Sequence, residues 1–210
     1  MINSISVSEM MRAAARLGKK GERFTLMGIG PMSRICIKAA LTLAKERDFP
    51  VMLIASRNQV DSDEFGHGYV CNWDQKRFVN DTYAIADEIG FDGLVYFCRD
   101  HGGPWQRDEE RAAKLETDRA MELSITSYLD DIRAGFHLLH IDPTKDPHCD
   151  GTVPLDVVLG RTVELIERIE TQRKREGLAP VAYEVGTEET NGGLTSEKAF
   201  ADFIEKLLAA

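Results

Sequence analysis

The strongest constraint on the fold is a repeat. Apolar runs at Phe24 to Ile29, Val51 to Ala55, Gly93 to Cys98, Phe136 to Ile141 and Val181 to Val185 are separated by stretches of helical spacing. The later runs start about 43 residues apart. Apolar runs without a polar face are strands covered on both sides, and strands alternating with helices make a parallel sheet. The helices between them have start signals. Ser33 caps one running to about Arg47, and Asp74 caps one running to about Glu88. Further helices are expected over about Asp108 to Arg133, Leu155 to Glu176 and Ser196 to Leu208. A leading helix, Ser6 to Leu17, has apolar residues at Val7, Met10, Met11, Ala14 and Leu17. The chain therefore reads as one α/β domain over residues 1–210.

Two architectures accommodate five βα units. Eight units of this length exceed the ~250 residues of a compact barrel. By length alone, 210 residues favour an open doubly wound sheet. As part of something larger, they form the first five-eighths of a barrel. In both, connections after helices are short and those after strands are long, which places chemistry at the carboxyl ends of the strands.

Those long loops hold the candidate residues. Asp100-His101 follows the third strand, and an acid beside an imidazole suits proton transfer or metal binding. Gly102 and Gly103 allow backbone amides to approach a sugar or phosphate. Asn58 and Gln59 suit sugar hydroxyls, and Arg57 or Arg99 could take a phosphate. His140 and Asp142 bracket the end of the fourth strand, one of them facing the site. Glu184 and Glu188 supply carboxylates from the fifth strand and its loop, as a general base requires.

The net charge of -9 argues against nucleic acid and anionic membranes as partners. Four dispersed cysteines fit a reduced cytoplasmic setting. Gly28-Ile29-Gly30 lacks the third glycine of a dinucleotide fingerprint. His148-Cys149 is a weak metal pair, and Cys98 reads as a core residue.

Five ordered segments resemble one family. They are Ser56-Arg57-Asn58-Gln59-Val60 with Gly66-His67-Gly68-Tyr69; Asp100 to Trp105; Gly135-Phe136 with His140-Ile141-Asp142; Pro154-Leu155; and Tyr183 to Glu188 with Gly192-Gly193. Together they are similar to the GatZ/KbaZ-like subunit of D-tagatose-1,6-bisphosphate aldolase, a relative of class II aldolases. The resemblance implies a TIM (β/α)8-type barrel, of which this chain would carry the first part. It implies sugar-phosphate metabolism of the tagatose or galactitol type, a catalytic aldolase partner, and a homo- or hetero-oligomer. Relatives with ketose-phosphate 4-epimerase activity and purely accessory subunits are the other functions it allows. By the same likeness, Asp100 would be the acid–base residue. His101 would be a metal ligand, with zinc the expected divalent ion. From residue type and position, His140 is the second candidate metal ligand, Asn58, Gln59, Arg99, Gly102, Gly103 and Asp142 are candidate substrate contacts, and Glu184 and Glu188 are candidates for moving protons. The sequence departs from the pattern at Arg99 and His67, where the family usually or often has glycine. Members are about twice as long, and the aldolases draw further metal-binding histidines from later strands. The chain is expected to be a truncation, a short member closed by another chain, or a five-stranded piece packed differently.

Overall fold

A computed structural model describes residues 5–23, 25–186 and 196–209. The strands are β1 (Met27–Ile29), β2 (Val51–Ser56), β3 (Val95–Gly102), β4 (Leu138–Ile141) and β5 (Ala182–Val185). All neighbours are parallel, in the order β1-β2-β3-β4-β5. The helices are α1 (Val7–Lys19), α2 (Arg34–Arg47), α3 (Gln75–Ile89), α4 (Asp108–Ala112), α5 (Thr117–Ala134), α6 (Leu155–Arg175) and α7 (Glu197–Ala209).

Strand parity separates two faces. Val51, Leu53, Ala55, Val95, Phe97, Leu139 and Ile141 point to one core, which they share with Leu41, Phe78, Ile132 and Leu165 of the helices. Helices α2, α3, α5, α6 and α7 pack side by side in that order, α4 apart. Met52, Tyr96 and Cys98 point the other way and meet Val7 of α1. Ile54, Leu138 and Ala182 continue that second face and are only partly covered. A doubly wound sheet reverses its strand order and divides its helices between the faces. The sequential order here has no such reversal, which excludes the open doubly wound alternative for the described residues.

Three local expectations change. β3 continues past Cys98 to Gly102, so Asp100 and His101 belong to the strand and not to its loop. The helix expected from Asp108 to Arg133 is two helices, interrupted where Lys114 takes φ 45° and the Leu115 carbonyl accepts from the Trp105 indole at 2.8 Å. No glycine or proline marks that break. The first strand is confined to Met27–Ile29. The caps hold: Ser33 accepts from Cys36 N and Asp74 from Arg77 N.

Helix α6 is tied to β5 through Glu170. Its carboxylate accepts from Arg173 Nε and Nη2 at 2.8 and 2.7 Å and from the Tyr183 hydroxyl at 2.9 Å. The Arg173 hydrogen bonds hold its pKa down to about 2, from an ordinary 4.5. A depressed folded-state pKa contributes stability above the unfolded value, and that stability is lost as pH falls toward the folded one. The contribution should be about 1 kcal/mol or less, because the pair is partly in solvent. Urea unfolding of wild type and Glu170→Gln should therefore differ by a constant amount above pH 5. The difference should shrink between pH 4.5 and 2.

Candidate functional site

The site is built on an irregularity between β3 and β4. Arg99 pairs with Leu139 and Gly102 pairs with Ile141, so Asp100 and His101 together oppose His140 alone. This is a β-bulge, which re-aims side chains at a sheet end. His101 takes φ 43°, a left-handed conformation unusual for a side chain other than glycine. Regular alternation would send Asp100 and His101 to opposite faces. The bulge instead brings one ligand-type atom each of Asp100, His101 and His140 within 4.8 Å of one another.

Asp142 organises the corner from behind. One carboxylate oxygen lies 2.6 Å from His101 Nδ1 and accepts from Gln106 Nε2 at 2.9 Å. The other accepts from the Thr144 amide at 3.1 Å and its hydroxyl at 2.5 Å. Burial pushes the Asp142 pKa up, but the bonds from His101 and Thr144 outweigh it and hold the pKa low. Asp142 holds His101 through Nδ1, and the ring's Nε2 faces Asp100, 3.7 Å away. That is how a carboxylate prepares an imidazole for a metal.

The His140 ring lies 5.0 Å from that of His101. Its Nδ1 faces the His101 amide at 3.4 Å, the long end of a hydrogen bond. Its Nε2 is buried and has no hydrogen-bond partner. A Cβ added at Gly186 would stand 2.5 Å from that nitrogen, so the glycine keeps the space beside it open. Two imidazoles and a carboxylate, with an unsatisfied buried nitrogen among them, fit a divalent cation.

The other expected residues divide. Glu184 is exposed on the same sheet face, in register with His140, and its charge contributes to raising the buried Cys98 thiol's pKa, after burial itself. Glu188 lies outside the described residues. Asn58 bonds Asp108, through its side-chain nitrogen at 3.2 Å and its oxygen at 3.1 Å. Asn58 also lines a polar pocket of about 380 Å3 with Ser56, Tyr69 and Arg107. Gln59 closes its own loop by accepting from Ser56 N at 2.8 Å. Gly102 packs under the Tyr128 ring, and Gly103, at φ 136°, leaves room for the Asp142 carbonyl. Their absent side chains are thus explained by packing. Arg99 is not at the corner. It lies on the helix face, 1% exposed, bonded to Asp131 at 2.8 and 2.5 Å and to the Ala55 and Val60 carbonyls. Every described contact of its guanidinium is internal, which suits a structural role.

Gln106, Thr144 and Lys145 were not anticipated. Lys145 is half-buried; burial and then the charge of Arg111 lower its pKa, while Asp142, Asp108 and Asp100 oppose them. Its position three residues beyond Asp142 was the available signal.

Fold and corner together define a parallel α/β protein with an acid–imidazole centre at the carboxyl end of its sheet. Comparison with known proteins narrows this class. The model of the D-tagatose-1,6-bisphosphate aldolase subunit GatZ/KbaZ-like family matches residues 11–203. The chain belongs to that family. It is 33% identical over 181 residues to the D-tagatose-1,6-bisphosphate aldolase subunit GatZ of Escherichia coli O17:K52:H18, covering 81% of this chain and 39% of that protein. The subunit of the same name from Shigella flexneri is 32% identical over 181 residues, with the same coverage. The chain thus spans about two-fifths of these relatives' length. In solved structures it is similar to a probable tagatose 6 phosphate kinase from Sinorhizobium meliloti 1021, with a TM-score of 0.72 and 25% identity over 89% of this chain and 44% of that one. Among the described residues, no helix is long and apolar enough to cross a membrane.

Proposed function

We propose that the chain forms the first five βα units of a GatZ/KbaZ-type barrel and contributes the proton-transfer corner for cleavage of a tagatose-type ketose phosphate. The convergence of Asp100, His101 and His140 across the bulge carries this reading. The sequential strand order supports the barrel, because a closing sheet adds each strand beside the last.

His101 and His140 would hold a divalent ion, zinc being the expected one. Such an ion supplies Lewis-acid polarisation of a carbonyl. Asp142 keeps His101 in the required tautomer. Asp100, half-exposed beside them, takes the proton from the hydroxyl next to the breaking carbon–carbon bond, and the bond's electron pair passes to the ketone half. Glu184 of β5 and Glu188 are the carboxylates for returning a proton. Asn58 and Gln59, on the loop after β2, and the backbone at Gly102 and Gly103, at the end of β3, would meet the sugar. Lys145 offers positive charge for an anionic group of the substrate. The same proton transfers would serve a 4-epimerase, which cleaves and rejoins that bond.

The accessory reading is favoured by the relatives' description as aldolase subunits. In it the chain steadies a catalytic partner in a hetero-oligomer and turns over nothing alone. The test is Gly186→Ala. Its methyl group fills the space beside His140 Nε2 and should remove one bound metal equivalent while leaving the melting temperature within a few degrees. Cleavage of tagatose 1,6-bisphosphate, with and without a partner aldolase, is measured alongside. Unchanged metal content would overturn the metal corner. Full metal content with no turnover except through the partner would establish the accessory reading.

A further inference from the structure

A second cluster lies away from that corner, on the long β2–α3 connection. Asp63 opens a 3-10 turn, His67 follows Gly66, and Asp74 caps α3. Ligand-type atoms of all three lie within 4.8 Å of one another. His67 Nδ1 lies 2.5 Å from an Asp63 oxygen. Yet that nitrogen is buried and has no hydrogen bond of acceptable geometry. The imidazole and the carboxylate are thus already held in close approach inside the cluster. His67 is also held at φ 67°, a conformation that suits glycine better than histidine. Arg77 is the present counter-charge, 3.1 Å from Asp74 and 3.8 Å from Asp63, and its side chain is 55% exposed.

We propose that Asp63, His67 and Asp74 form a second divalent-cation site, of the zinc type, that pins the β2–α3 connection to the start of α3. One imidazole and two carboxylates suit such an ion. Ligand atoms around a tetrahedral ion with bonds of about 2.0–2.1 Å stand roughly 3.3 Å apart. Asp63 and His67 must open slightly from 2.5 Å, and the widest separation, at most 4.8 Å, must close. The Asp63 and Arg77 side chains are both more than half exposed, which leaves them room for the adjustment. The His67 carbonyl accepts from Arg107, which also reaches Asp61 and lines the polar pocket beside Asn58. An ion at His67 therefore steadies one wall of that pocket.

The site is tested by equilibrium dialysis against zinc chloride of the wild-type protein, His67→Gly, and the double variant His101→Ala/His140→Ala. Glycine fits the backbone at 67, so His67→Gly should melt no lower than wild type in the absence of metal. It should bind one equivalent fewer than wild type, and the double variant should retain that equivalent. If the corner binds no metal, the wild type will hold one ion and His67→Gly none, which separates the two sites. Equal zinc content in wild type and His67→Gly would overturn the proposal.

Discussion

Arg99→Met should destabilise the protein by about 3–5 kcal/mol, the typical cost of breaking a buried ion pair from one side. Total stabilities run to about 5–15 kcal/mol, so this variant sits at the edge of folding. The cause is what Arg99 leaves behind. Asp131 is fully buried, and burial pushes its pKa up against the opposing charge of Arg99. The Ala55 and Val60 carbonyls lose their guanidinium donor as well. Asp61 belongs to the same network. Burial raises its pKa, but Arg57 and Arg99, with bonds from Ser127 and Ser62, outweigh that and hold it low. Without Arg99, Asp131 should take up a proton, and stability should improve on mild acidification. Urea unfolding of Arg99→Met and of Arg99→Met/Asp131→Leu checks this. The double variant removes the orphaned charge and should recover much of the loss. A single variant within 1 kcal/mol of wild type would show that the pair contributes little.

The same residue shows what was legible beforehand. The repeat of apolar runs revealed the parallel α/β fold and where each strand lay, because burial on both faces leaves that mark in any sequence. Arg99 looked like a site residue because it adjoins Asp100 and His101. Parity argued otherwise: Val95, Phe97 and Arg99 alternate onto the helix face, where Arg99 meets Asp131. The bulge was not legible. It depends on a one-residue mismatch between two strands that are some forty residues apart in the chain, and neither segment shows it alone. His101 has no glycine to announce its left-handed backbone. Asp142 could be placed at the strand end, but its role behind His101 depends on which way the loop to Thr144 turns. The break between α4 and α5 is likewise tertiary, coming with the Trp105 indole that bonds the Leu115 carbonyl.

Asp100→Asn separates the two chemical roles the corner allows for this residue. If Asp100 moves the substrate proton, the amide should lower kcat by about 10^2 to 10^4, the usual worth of a positioned acid–base group. The asparagine keeps the shape of the side chain, and His101 keeps its orientation because Asp142 and not Asp100 holds its Nδ1. Metal content should therefore stay at the wild-type level, whereas His101→Ala should lose one equivalent and turnover together. A fall in metal content for Asp100→Asn would instead make Asp100 a ligand, consistent with its presence among the three converging atoms, and would move the proton-transfer role to Glu184 or Glu188. The bulge makes either role possible, since it carries Asp100 and His101 to the same side of the sheet as His140. Turnover measured against metal content, in the same preparations, decides between them.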